Sequence, residues 1–337
     1  MLYFHHPAAL EHDPRTWVAE HPDSPARIVA VEAAMESVGW LGSERRVAPA
    51  ASENELRLVH DEHLVDQIHG LCRRGGGRID DDTFVSDASF EAALHAAGGA
   101  CAMVRALLSA EDRAGFCGLR PAGHHAERSR AMGFCLFNNV AIAAELAIRE
   151  LEVTRVLIVD WDVHHGNGTA EIFRHRSDVL FASIHQQGLY PGTGAVSDAG
   201  SLAGLGYTIN IPVPKRSGEE VWVSALEHLI IPAALEFEPE LVLISAGFDA
   251  HRADPLGECL LDASSFGQMA CHVRDVAAAV GAPVGAVLEG GYDPSALAES
   301  VLATIEALQG DGEAESIAPD PIVTPRAASH IGHFWSL

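Results

Sequence analysis

Asp160, Asp162 and His164 stand at alternate positions as the apolar run Leu157-Ile158-Val159 ends. Extended backbone turns every second side chain the same way, so two carboxylates and an imidazole share one face. Glycines at 166 and 168 then break the strand and place this cluster at its carboxyl end, where open α/β sheets bind ligands. With Asp249, from Ser245-Ala246-Gly247-Phe248-Asp249, the trio Asp162, His164 and Asp249 offers three protein ligands and leaves a position for water or substrate, as catalytic zinc sites do. Zinc is the leading choice. An oxygen-rich magnesium site would not favour imidazole, while manganese and ferrous iron stay open on ligand type. The plain alternative for the Asp-x-Asp-x-His run is a solvated strand edge or a set of helix caps.

His124 and His125 follow Gly123 in Arg120-Pro121-Ala122-Gly123-His124-His125. A glycine there lets the chain bend sharply, and both rings can face one cavity. Either can take a proton from a water polarised by the metal and return it to a leaving amine. Asp160 and Asn167 are candidates to hold the rings. A carboxylate partner favours imidazolium and an amide does not, so the two histidines can differ in basicity. Tyr292, after Gly290-Gly291, can donate its hydroxyl to an oxyanion, and Phe134 and Tyr190 can wall a narrow apolar channel. Core packing is the bland reading for each of these aromatics.

These groups need a scaffold that brings distant loops together. Strands are expected at residues 2–5 and over Gly115–Leu119, Arg155–Asp160, Val179–Ile184, Tyr207–Ile211, Leu241–Ser245 and Val284–Leu288. Helices are expected over Ala26–Val38, Ser89–Leu108 with Gly98-Gly99 for close approach, and Val140–Leu151 capped by Asn139. Others are Ala170–Arg174, Glu219–Leu235 behind a Ser217-x-x-Glu220 capping box, Ser265–Val280 closed by Gly281, and Ser295–Leu308 begun by Asp293-Pro294. Ser52-x-x-Glu55 and Asp61 read as caps of two short helices. Strand and helix alternation of this kind gives a parallel sheet with helices on both faces. The four polar turns after its strands then converge on one cleft. One domain is expected, with a loose tail after Gly310.

Composition narrows the partners. A net charge of -25, from 47 acidic against 22 basic residues, argues against a nucleic-acid backbone and suits a cationic or neutral substrate, although like-charge solubility explains the same number. Six scattered cysteines without a C-x-x-C pair read as reduced thiols. No segment reaches the roughly 18 uninterrupted apolar residues that would span a bilayer, and the amino terminus lacks a signal-peptide pattern. The expectation is a cytoplasmic protein without a membrane or nucleic-acid partner, with association into a homo-oligomer left open.

The chain resembles the histone deacetylase family, specifically its class II branch with the bacterial deacetylase-like amidohydrolases. The resemblance is carried by Arg120-Pro121-Ala122-Gly123-His124-His125-Ala126-Glu127, Met132-Gly133-Phe134-Cys135-Leu136-Phe137-Asn138-Asn139, the run from Asp160 to Thr169, Ser245-Ala246-Gly247-Phe248-Asp249-Ala250 and Leu288-Glu289-Gly290-Gly291-Tyr292. These motifs occur in the family's order and cover about Pro22 to Leu308. The resemblance implies an α/β fold: a single arginase/deacetylase-type domain over residues 1–310, with a central, mostly parallel eight-stranded sheet and a tail at 311–337. It implies zinc-dependent removal of an acyl group from an amine, with Asp162, His164 and Asp249 on the zinc and His125 as principal general base and acid. His124 would assist electrostatically, paired with Asp160, and Tyr292 would polarise the acyl carbonyl. Gly133, Phe134, Tyr190 and Gly290 would line the acyl-lysine tunnel. A structural potassium near Asp160, Asp162, His164 and Ser183 is also implied.

Departures from the family pattern bear on substrate choice. Ala122 replaces a proline, Tyr190 adds a hydroxyl where relatives often lack one, and Asn167 supports the class II assignment. Thr83 aligns with a rim position that binds substrate backbone in relatives. Leu256 stands where polyamine-selective members carry an acidic residue, which tilts the expectation toward acyl-lysine in peptides or proteins. Acetylpolyamines or other small acylated amines are the enzymatic alternative, and a catalytically silent metal or acyl-ligand binding protein is the non-enzymatic one. A manganese ureohydrolase is disfavoured, because an upstream Gly-Asp-His is not found.

Overall fold

Short runs of Val, Ile, Leu and Ala lose most by staying in water, and in the computed structural model, which describes residues 1–337, such runs supply most of ten strands. These are β1 (Leu2–His5), β2 (Glu44–Val47), β3 (Gly77–Arg78), β4 (Phe84–Val85), β5 (Ala114–Cys117), β6 (Val156–Asp160), β7 (Val179–Gln186), β8 (Thr208–Val213), β9 (Leu241–Ala246) and β10 (Val284–Leu288). Eight form one sheet in the order β2-β1-β5-β10-β9-β6-β7-β8, with every pairing parallel. β3 and β4 make a separate antiparallel hairpin. From β5 to β8 every strand residue of the sheet is buried, which parallel strands covered on both faces require.

Helices Ser89–Leu108 and Asn139–Glu150 pack together over β5, β6, β9 and β10. Ala263–Val280, Pro294–Gln309 and Ala26–Ser37 pack in series as a second group. A single apolar cluster of 95 buried residues runs through both groups and the sheet, so no boundary divides the core. The Ala-rich helix Ser89–Leu108 has strong intrinsic propensity, and its Gly98 lies where a Cβ would strike the backbone of Pro49 and Ala51. No helix is long and apolar enough to cross a membrane. All six cysteines are unpaired thiols.

Several expected elements shift. The charged stretch Glu44-Arg45-Arg46-Val47, not expected as a strand, is β2; it lies at the sheet edge, mostly exposed, and charge is how edge strands avoid further pairing. The cap of the helix after β5 is Asn138, whose side chain accepts from Ala141 N at 3.1 Å, so Asn139 is already its first residue. Ser217 forms no capping box, because its hydroxyl donates to Pro214 O at 2.7 Å. The helix beyond it is interrupted by a π turn at Leu226–Ile230. Pro232 just after has no N–H to continue the regular ladder. Asp61 precedes its helix without a side-chain cap bond, whereas Ser52 and Glu55 do form a capping box. The chain after Gly310 is not loose throughout: Val323–Ile331 is a helix packed on β8, and Trp335 donates to Gly206 O at 2.7 Å.

Buried histidines give the fold a pH dependence. His60 accepts from Asn138 N at 2.8 Å and faces Glu127 O at 3.0 Å, and burial pushes its pKa down to about 4. His185 is held down to about 4 for the same reason. The unfolded chain protonates such rings near 6.5, so below that pH it binds more protons than the fold does. These rings are expected to cost nothing above pH 6.5, and to lower stability by about 1.4 kcal/mol per ring per pH unit on acidification toward pH 4. Urea denaturation from pH 7.5 to 4.5 measures this, and His60→Gln should remove one proton's worth of slope.

Candidate active site

The polar turns sit at the carboxyl ends of β5, β10, β9 and β6, four adjacent strands of the sheet. Their side chains therefore meet although the sequence separates them. β6 ends at Asp160, so Asp162 and His164 are not aligned by strand alternation. Short turns do it instead: Asp162 N donates to Asp160 Oδ1 at 3.1 Å, and His164 N to Asp162 Oδ1 at 2.9 Å.

Asp162, His164 and Asp249 are buried, with their donor atoms all within 4.8 Å of one another. His164 Nδ1 lies 3.0 Å from Asp162 Oδ1 and 3.1 Å from Asp249 Oδ2. Val163 N donates to Asp249 Oδ1 at 2.7 Å and Gly290 N to Asp162 Oδ2 at 2.9 Å, which fixes both carboxylates. A Cβ at Gly247 or Gly290 would collide with these carboxylates, so both glycines are steric requirements of the cluster. Burial and the neighbouring Asp162 push Asp249 up to about 7. Burial opposes charge on His164, but Asp249 and Asp162 prevail and raise it to about 10. Two buried carboxylates crowding one imidazole nitrogen form a donor set that a divalent cation satisfies. The residues present fit a metal.

The two histidines beside this cluster are held differently. His124 Nδ1 is 3.0 Å from Asp160 Oδ2, and His125 Nδ1 is 2.8 Å from Asn167 Oδ1. Burial works against charge on both. On His124 the carboxylates of Asp162 and Asp160 overcome it and hold the pKa well above the usual value. On His125 the positive charge of His124 and His164 adds to burial, and the pKa lies well below the usual value. One ring is an imidazolium and the other a neutral base, 4.0 Å apart between centroids.

Tyr292 is partly exposed, its ring edge-on to Phe134 at 5.6 Å and under the Arg27 guanidinium at 4.8 Å. Burial raises its phenol pKa well above 10, so the hydroxyl keeps its proton. Tyr190 stands edge-on to His125 at 5.1 Å, and Gly133 sits where a Cβ would meet the His125 and Tyr190 rings. Phe134 has a left-handed backbone, φ 65°, held by its N–H donating to Thr83 Oγ1 at 3.1 Å. Leu256 lies in a turn closed by Asp254, which accepts from Leu256 N at 2.8 Å and from Tyr292 N at 2.6 Å; Leu256 thus neighbours the tyrosine loop. Ser183 is paired with Asp160 across β6 and β7.

Thr83 is not a rim residue. It is fully buried, and its hydroxyl is used up by Phe134 N and by Asp82 Oδ1 at 2.9 Å. The adjacent Asp82 is half-buried and accepts also from Gly133 N at 3.3 Å. Glu289, which has no expected role from the sequence, accepts through Oε2 from Gly123 N at 2.6 Å and His124 N at 3.0 Å and so pins the His-His turn. A buried charge cluster beneath the site was likewise not expected from the sequence. Asp23 bridges Arg27 at 2.9 Å and Arg120 at 2.5 Å, while Arg27 donates to Glu289 O and Gly291 O. The signal for Glu289 was a carboxylate directly after an apolar strand; Asp23 and Arg27 stand four apart, a spacing common among surface ion pairs, and only their distant partners Arg120, Glu289 and Gly291 show the pair to be buried.

A family model described as "Histone deacetylase domain" matches residues 21–308. The chain is 41% identical over 306 residues to a probable deacetylase of Methanothermobacter thermautotrophicus, covering 89% of each protein. It is 36% identical over 307 residues to a histone deacetylase-like amidohydrolase of Pseudomonas aeruginosa, covering 90% of this chain and 80% of that one. Its structure superposes on the HD domain of HDA15 with a TM-score of 0.93 at 34% identity, covering 99% of this chain and 94% of that one. With a family model spanning most of its length and the paired histidines lying beside a buried two-Asp, one-His cluster, the chain belongs to the histone deacetylase family of hydrolases.

Proposed function

We propose that this protein is a zinc-dependent amidohydrolase that removes acetyl or longer acyl groups from N-acyl-lysine in peptides or proteins. The observation that carries this reading is the unequal pair of histidines, one on a carboxylate and one on an amide, next to the cluster of Asp162, His164 and Asp249. Those three residues would hold the zinc, which when bound polarises the acyl carbonyl and makes the attacking water more acidic. His125, neutral, accepts the water's proton as the oxygen attacks the carbonyl carbon, then delivers it to the lysine nitrogen as the C–N bond breaks. His124, an imidazolium on Asp160, contributes fixed positive charge without moving its proton. Tyr292 donates its hydroxyl to the carbonyl oxygen as negative charge develops there. Gly133, Phe134 and Tyr190 line the passage for the aliphatic lysine chain, and the half-buried Asp82, which accepts from Gly133 N, lies beside it.

A potassium ion near Asp160, Asp162, His164 and Ser183 belongs to the same reading. His185 Nε2 faces Gly194 O at 2.9 Å and so carries the ring proton. Ser183 must then donate to Nδ1 at 2.9 Å, which leaves its oxygen lone pairs for a cation. Unpaired thiols fit a cytoplasmic setting.

The test is turnover of an acetyl-lysine peptide and of acetylspermidine at matched concentrations by zinc-loaded protein. The peptide is expected to be preferred; the reverse order would move the assignment to polyamines, and no turnover of either would leave a binding protein. Tyr292→Phe should lower kcat by about 10²–10³-fold while zinc content, measured by atomic absorption, stays unchanged. Normal rates in that variant would remove Tyr292 from the mechanism.

A further inference from the structure

The loop after β7, which turns Tyr190 toward His125, has a second side. Behind it lies a polar cavity of about 360 Å³, walled by the loop from Gln187 to Val196, by Pro212 and by Arg326, within the size range of small-ligand sites. Arg326 comes from the helix Val323–Ile331. One guanidinium nitrogen donates to Pro212 O, and its Nε is buried without a partner. No carboxylate pairs with it, although the chain has 47 acidic residues against 22 basic. On the loop that lines the same cavity, the consecutive backbone N–H groups of Thr193, Gly194, Ala195 and Val196 donate to no protein acceptor, and of these residues Thr193 and Ala195 are exposed. Gly194 is itself buried, so its N–H calls for an acceptor from outside the chain. Gly192 and Gly194 have φ of 84° and 81°, and a Cβ at Gly194 would strike the rings of His185 and His165. The loop is therefore pressed onto those rings. Successive N–H groups in such a bend form a concave set of donors that takes anions, and the Arg326 guanidinium lining the same cavity supplies the countercharge that a phosphate needs.

We propose that this cavity binds a phosphate-bearing small molecule, its phosphate held between Arg326 and the amides of residues 193–196 and its body in the remaining space. Because the same loop carries Tyr190, and Thr193 Oγ1 sits 2.7 Å from His165 Nδ1, an occupant would fix the wall of the acyl passage from behind. Phosphate binding is read without any acyl substrate, so it stands or falls apart from the deacylase assignment.

The experiment is hydrogen exchange of the full chain, followed by mass spectrometry, with inorganic phosphate or phenyl phosphate added and with chloride at matched ionic strength as control. Both phosphates should slow exchange in the peptide spanning 187–196, with phenyl phosphate acting at the lower concentration, and chloride should not. Arg326→Gln should raise the phosphate concentration needed by about tenfold or more, and Arg326→Lys should fall between. Equal protection by chloride, no protection in the wild type, or undiminished protection in folded Arg326→Gln would overturn the site. If Arg326→Gln does not fold, the wild-type comparison alone decides. Inorganic phosphate acting at the lower concentration would overturn the organic body and leave a site for free phosphate.

Discussion

Replacing His125 with glutamine is expected to lower kcat/KM on an acetyl-lysine peptide by about 10²–10⁴-fold, the span of general acid–base catalysis by one positioned group. Glutamine can keep a hydrogen bond to Asn167 but cannot carry a proton from water to amine, so the loss reports proton transfer more than packing. The pH profile adds an independent reading. The active form of His125 is neutral, and burial together with the charges on His124 and His164 keeps its pKa below 6.5. The acid limb of kcat/KM should therefore fall below pH 6.5, with activity lost as pH drops through it. Asn167→Asp replaces an amide acceptor, 2.8 Å from His125 Nδ1, by a carboxylate that favours the imidazolium. The acid limb must then move to higher pH, so that activity near pH 6 falls more than activity near pH 8. A profile that does not move in Asn167→Asp, or a His125→Gln enzyme within a few fold of wild type, would assign the base to another residue.

That difference between the two histidines was legible in the sequence because their partners lie on the same short segment, Asp160 and Asn167, at the end of one apolar strand. The sheet was legible for a similar reason, since buried parallel strands are continuous apolar runs. What was not legible followed from contacts between distant segments or from one-residue offsets. β2 is a charged stretch made a strand only by its neighbour β1. Thr83 and Asp82 are adjacent, and which of them is buried depends on how the β3–β4 hairpin is oriented against Gly133 and Phe134. Alternation along an extended strand put Asp162 and His164 together, as they are in the structure, but for an incomplete reason. Asp162 and His164 lie beyond the strand, and hydrogen bonds to side-chain oxygens turn them inward. Arg120 is a buried cation whose need for Asp23 appears only once two distant segments are packed together.

Asp249→Asn is expected to abolish zinc binding and, with it, zinc-dependent turnover. Loss of an outer hydrogen-bond partner of a metal ligand typically costs about 10–100-fold in affinity or activity, and loss of an anionic ligand from a set of three must exceed that. The substitution is nearly isosteric, and the asparagine oxygen can still accept from Val163 N, which donates to Asp249 Oδ1 at 2.7 Å. The loop geometry should therefore survive. It also removes one of two buried carboxylates, where burial together with their mutual repulsion pushes Asp249 up to about 7, so the metal-free variant should unfold no earlier than the metal-free wild type. Wild-type protein should gain thermal stability with added zinc by mass action, about 2.7 kcal/mol at a hundred times Kd, and the variant should gain none. Chelation with dipicolinate should bring wild-type turnover to the variant's level, and zinc should restore it. These outcomes separate a ligand from a structural residue. A metal-free variant that unfolds well below metal-free wild type would mean that Asp249 holds the β9 loop in place, and a variant that still takes up a full equivalent of zinc would put the metal elsewhere among the four converging turns.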